Sequence, residues 1–105
     1  MLKLKQQQTG GCWKREIYDS EGYEVIFRIN PDTGKLVKIN FKSKNPMNFI
    51  EIINTTRDNF YIEFDRTRTV FAENIDEIIK ELEKTKALIN FVKEFANKNY
   101  IFEDK

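Results

Sequence analysis

Between Trp13 and Phe64 the chain repeatedly alternates apolar and polar positions. Tyr23, Val25, Phe27 and Ile29 are separated by Glu24, Ile26 and Arg28. That period of two gives a strand one continuous apolar face. Asn30-Pro31-Asp32-Thr33-Gly34-Lys35 follows as a turn: Pro31 presets φ, Asp32 suits a local backbone bond, and Gly34 tolerates positive φ. Val37, Ile39 and Phe41 then resume the alternation against Lys38, Asn40 and Lys42, predicting a hairpin over 23–42. Upstream, Trp13, Arg15 and Ile17 would share one strand face and Lys14, Glu16 and Tyr18 the other, with a turn at 19–22. Downstream, Phe60, Ile62 and Phe64 alternate with Tyr61, Glu63 and Asp65, and Thr69 to Phe71 reads as one more short strand.

Two stretches are less regular. Residues 48–54 read as a strand through Ile50, Ile52 and Ile53, although Asn45-Pro46 would also open a helical turn through Met47, Ile50 and Ile53. Residues 1–11 read as a flexible N-terminal tail, because the Gln6-Gln7-Gln8 tract has no apolar period and Gly10-Gly11 makes a joint, although Leu2 and Leu4 alternating with Lys3 and Lys5 would also allow a short edge strand.

After residue 73 the period changes to that of a helix, expected over about 74–97. Asn74 is a suitable N-cap with Glu77 three residues on, and Asp76 and Glu77 suit the positive end of the dipole. Ile75, Ile78, Ile79, Leu82, Ile89, Val92 and Ala96 form one stripe. Leu88, Phe91 and Phe95 form a second, rotated by well over ~100° at ~100° per residue. A helix on a sheet needs one such stripe. The second is covered by a bend near Thr85, by the tail Tyr100-Ile101-Phe102 folding back, or by a dimer or partner contact at Leu88, Phe91 and Phe95. The predicted class is therefore α+β: an antiparallel meander of about 4–6 strands (residues 12–72) and one long C-terminal helix on one of its faces, together a single domain over 12–105.

Composition supports this and narrows the chemistry. The 40% hydrophobic and 33% charged fractions are those of a globular chain, and 13% aromatics favours a sheet-built core. With no His and one Cys, the usual general base, Ser-His and Cys-His nucleophile pairs, and structural zinc sites are all excluded. No cofactor, metal site or catalytic activity is expected. Glu63 and Asp65, with Glu51 nearby if 48–54 pairs with 60–64, leave a metal-dependent nuclease as a distant reading. The lone Cys12, the absence of a signal-peptide core and the lack of any run near ~18 apolar residues lead us to expect a cytoplasmic protein with no membrane partner.

Net charge is only +1, but residues 1–72 carry +3 and the rest −2. If Tyr23, Val25, Phe27 and Ile29 face the helix, Arg28, Lys38 and Lys42 face away, joined by Tyr61 and by Lys14 or Arg15 according to register. Cations neutralise phosphates and rings stack on bases, so this face, with Trp13 at its margin, suits single-stranded nucleic acid. Gly11-Cys12-Trp13-Lys14-Arg15-Glu16-Ile17 resembles the opening strand of bacterial relatives of the transcriptional coactivator domain. Thr69-Val70-Phe71 entering 74–82 resembles their last strand running into the helix. The order of elements is also similar to that of the purine-rich-element-binding and whirly proteins. The resemblance implies a homodimer that binds single strands across a sheet, with Trp13, Lys14, Arg15, Arg28 and Lys38 as contacts. The expectation is a non-catalytic binding module. Its alternative is a small inhibitor or regulator, of phage or mobile-element type, that binds a host enzyme such as a nucleic-acid-processing protein.

Overall fold

In the computed structural model, which describes residues 2–45, 50–55, 59–64 and 75–103, six antiparallel strands form one sheet in sequence order. They are β1 (Lys3–Thr9), β2 (Lys14–Asp19), β3 (Tyr23–Ile29), β4 (Leu36–Ser43), β5 (Ile50–Asn54) and β6 (Phe60–Phe64). One helix, α1 (Ile75–Asn99), follows. The class is α+β, as the alternation predicts, and 50–54 is strand, not helical turn. Thr69 to Phe71 and the Asn74 cap lie outside the described residues. Residues 3–9 correct the expected tail: they pair along β2 from Lys3↔Asp19 to Thr9↔Lys14, with Lys5 passed over between Leu4 and Gln6.

The predicted hairpin forms, with one shift. Arg28 pairs with Lys38 but Ile29 pairs with Leu36, so Val37 is skipped. The bulge puts Leu36 into the core at 0% exposure and turns Val37, expected inside, out to 37%. The turn is held by Asn30 N–H on Lys35 O (2.9 Å) and Gly34 N–H on Asn30 O (2.8 Å), with Gly34 at φ 71°. Its side-chain bonds come from Asn30 Oδ1, which accepts from Asp32 N–H at 2.9 Å, and Thr33 Oγ1, which accepts from Lys35 N–H at 3.2 Å; Asp32 itself stands exposed.

Val25, Phe27, Ile29, Leu36, Ile39, Val92 and Ala96 make up the core, with Tyr18, Phe41, Phe60, Leu88, Phe95, Tyr100 and Phe102 packed against it. The helix runs unbroken through Thr85, over ~37 Å at ~1.5 Å per residue. Its sheet-facing arc is neither predicted stripe but the ground between them. Val92 and Ala96 come from the first and Leu88 and Phe95 from the second, leaving Ile75 and Ile79 exposed on one flank and Phe91 on the other. The expected dimer or partner stripe therefore does not stay whole, since two of its three residues are used inside the chain.

The end of the chain makes this arc possible. Leu36 N–H donates to Ile101 O and Glu103 N–H to Leu36 O, both at 2.8 Å, so the tail lies parallel beside Leu36. Tyr100 stacks on Phe27 with ring centroids 4.9 Å apart, and its hydroxyl donates to the Glu16 carboxylate. Burial, then this bond, push the phenol far above its ordinary range.

The β4–β5 join is the thinnest, with Asn40↔Ile53 as its register pair. Asn54, 1% exposed, bridges the gap with its side chain: Oδ1 accepts from Ile39 N–H and Nδ2 donates to Asn59 O, both at 3.0 Å. Asn54→Leu leaves the Ile39 N–H unpaired in the core and should destabilise by about 2–3 kcal/mol in urea unfolding. Tyr100→Phe should cost about 1–2 kcal/mol near neutrality. The raised phenol favours the fold fully below its unfolded pKa near ~10 and loses that effect as pH rises above it. The gap between wild type and Tyr100→Phe should accordingly narrow above pH ~10 in denaturant melts.

Candidate functional site

The pleat that sends Val25 and Phe27 inward sends Ile26 and Arg28 to the opposite face, which no described element covers. Register sorts that face into three rows. In the first, Gln8, Arg15, Arg28 and Lys38 stand directly opposite one another on β1 to β4. Like charges so placed repel, at roughly 0.2–1 kcal/mol per pair. Among the described residues no carboxylate pairs with Arg15, Arg28 or Lys38. Arg15 is steadied otherwise: its guanidinium donates to Gln8 Oε1 at 2.6 Å and lies 4.7 Å from the Trp13 ring centroid.

The second row is mostly apolar: Gln6, Ile17, Ile26, Asn40, Ile53 and Tyr61, each opposite the next. Tyr61 is 46% exposed. The third row holds the acids. Asp19 pairs with Glu24 across the strands and Glu24 with Lys42, while Glu51 stands opposite Glu63. Lys5, freed by its bulge, bonds the Glu24 carboxylate, and Lys44 pairs with Asp19. Those hydrogen bonds hold both carboxyls below their usual range and raise the Lys5 ammonium. Four residues separate Arg28 from Glu24, about 13 Å along a strand at ~3.3 Å per residue. That exceeds the ~8 Å screening length at physiological salt, so the acids barely weaken the cationic row.

Of the residues singled out in the sequence, Arg15, Arg28 and Lys38 form the first row, Tyr61 ends the second, and Lys42 sits in the third beside Glu24. Lys14 is corrected: it stands opposite Ile29, whose side chain is in the core, so period two turns it to the helix side. Trp13 sits in the β1–β2 connection, 40% exposed, where Gly10 N–H donates to its carbonyl at 2.8 Å. With Arg15 over the ring and Gly10 against it, Trp13 positions the row's first cation. Cys12 is exposed. Asn40 falls on the outer face as the alternation on β4 predicts, whereas Gln8 and Lys5 are site residues that the alternation does not single out, because β1 is hidden by its glutamines. The Leu2-Lys3-Leu4-Lys5 alternation is the only local sign of that strand.

Glu51 and Glu63 do meet, but Asp65 lies outside the described residues, and among those described no three acidic or thiol side chains gather as a metal site. No described helix is long and apolar enough to cross a membrane. Comparison of the chain with protein-family models, curated proteins and solved structures finds no match in any of the three.

A Cβ at position 10 would lie 2.6 Å from the indole Cε2 and Nε1. Gly10→Ala should therefore displace the ring from beneath Arg15. The expected readout is a red shift of the sole tryptophan's emission, with stability changed by less than about 1 kcal/mol because the ring swings toward solvent.

Proposed function

We propose that this protein is a non-catalytic module that binds single-stranded nucleic acid across the open face of its sheet. The observation that carries this reading is the row Arg15–Arg28–Lys38. Three cations are held side by side without acidic partners among the described residues, an arrangement that opposes folding and is relieved by a polyanion. The apolar row beside it, ending in an exposed tyrosine, supports bases rather than phosphate alone, since rings and aliphatic side chains take the flat surfaces of unstacked bases. The resemblance to single-strand-binding coactivator-like and whirly proteins points the same way and adds the proposal of a homodimer.

A protein partner is the second reading, favoured by the third row. There Lys5, Glu24, Asp19 and Lys44 form a patch of paired opposite charges, which suits a mixed-charge protein surface better than a phosphate chain. An inhibitor of a nucleic-acid-processing enzyme would use that patch and would co-purify in stoichiometric amounts with its target.

The deciding measurement is fluorescence anisotropy of a labelled single-stranded oligonucleotide over a salt series. Three phosphate contacts predict a slope of log K against log salt near about −2. Arg28→Ala with Lys38→Ala should lower affinity at least about tenfold and bring the slope to about −0.7. No measurable binding by the wild type at low salt would dispose of the nucleic-acid reading.

A further inference from the structure

The second row contains one residue that its surroundings do not account for. Asn40 lies on β4 with Ile26 on one side and Ile53 on the other, and Tyr61 follows beyond Ile53. Asparagine is disfavoured in strands, where a β-branched residue would pack better between two isoleucines. Among the described residues its side-chain amide makes no hydrogen bond, unlike Asn54, whose amide is satisfied at both ends. Asn40 also stands at the thin β4–β5 join, where an open groove of about 580 Å³ runs between the two strands, lined on this face by Lys38, Asn40, Lys42, Glu51 and Ile53 and reaching between the strands to Ile39 and Asn54. That volume falls in the range that accepts a small planar ligand.

We infer that Asn40 is a base-reading residue of this face. An unstacked nucleobase lies in the groove over Ile53 next to the Tyr61 ring, and its edge meets the Asn40 amide. Arg28 and Lys38 hold the flanking phosphates. The chemistry is that of the amide, which carries a donor and an acceptor side by side and so complements the adjacent acceptor and donor on the edge of an unpaired base. A phosphate offers only acceptors and would use half of it. Lys38 precedes Asn40 by two residues on the same face, about 6.6 Å at ~3.3 Å per residue, so one nucleotide can touch both. This inference rests on the reading of the face as a single-strand site, and it names what is read there.

The test uses two labelled probes of equal length, roughly 12 units: a mixed-sequence single-stranded DNA and an abasic chain with the same phosphates. The wild type should prefer the base-bearing probe. Asn40→Leu should lose about tenfold in affinity for that probe, with unchanged affinity for the abasic chain and an unchanged salt slope. Asn40→Thr, which suits a strand, should behave likewise and guards against a folding artefact. Arg28→Ala with Lys38→Ala should instead weaken both probes and flatten the slope. If Asn40→Leu and Asn40→Thr bind the DNA as tightly as wild type, the assignment of Asn40 is overturned while the cationic row keeps its role. If the wild type binds neither probe, the reading of the face falls and the inference with it.

Discussion

Phe27 is fully buried and is met from three directions: edge-on by Tyr18 of β2 at 5.3 Å, by Phe95 of the helix at 5.6 Å, and face-on by Tyr100 after the helix at 4.9 Å. Burying such a ring contributes about 1.5–3 kcal/mol, and each well-placed aromatic contact adds roughly 0.5–1.5 kcal/mol. Through these rings Phe27 ties β2, β3, the helix and the tail together, and Tyr18 closes the cluster against Phe95 at 5.1 Å. Its demand for cover also explains the helix. A stripe centred on Ile75, Ile79 and Leu82 would turn Phe95 away from Phe27. The arc centred on Val92 brings Phe95 in and lets the chain reach Tyr100 one turn later, where the hydrogen bonds to Leu36 anchor it.

The same residue fixes the opposite face. In a strand, moving the register by one exchanges the two sides, so any arrangement that exposed Arg28 less would expose Phe27 more. Arg15 and Lys38 are then carried opposite Arg28 by the pairing that the core imposes on β2 and β4. The mutual repulsion of three cations is small beside the burial of Phe27, Val25 and Ile39, so the core sets their alignment and the cations tolerate it. Gln8 and Trp13 ease the arrangement at its first member, one by accepting a hydrogen bond from Arg15 and the other by offering the face of its ring.

How much of this was legible in the sequence follows from which forces are local. The 23–42 hairpin and the helix declare themselves because their apolar residues recur at the period of the backbone that carries them. Arg28 and Lys38 could be assigned to the outer face on that basis alone, while Tyr61 needed the β5–β6 register. β1 carries little such signal, because an edge strand needs little burial and its Gln residues give no contrast of faces. The Val37 bulge was illegible for a different reason: Leu36 and Val37 are equally apolar, and the tail that selects Leu36 lies some 65 residues away in sequence, at Ile101 to Glu103. Lys14 and Arg15 were both candidates because adjacent residues on a strand differ only in face, and only the pairing with β3 decides between them. The helical pattern leaves the cover of the second stripe open among a bend, the tail and a partner because it cannot reveal that the seam lies between the two stripes.

Net charge is a poor guide to such a surface. The chain carries +1, a value that by itself argues for no partner, yet the sheet separates its charges by strand position. Acids collect where Lys5 and Lys44 can reach them, and their lowered carboxyl pKa values reflect that partnership. Cations collect four residues away, beyond the distance over which salt lets the two groups feel each other. A ligand at Arg28 therefore meets a local positive field focused along a row, with aliphatic side chains and one aromatic ring beside it. The mean charge of the molecule is invisible there. Had Glu24 stood at position 26, one pair closer, its carboxylate would have lain within ~7 Å of Arg28 along the strand and cancelled much of that field. The placement of a single acid two residues further along is thus what keeps the cationic row available to a polyanion.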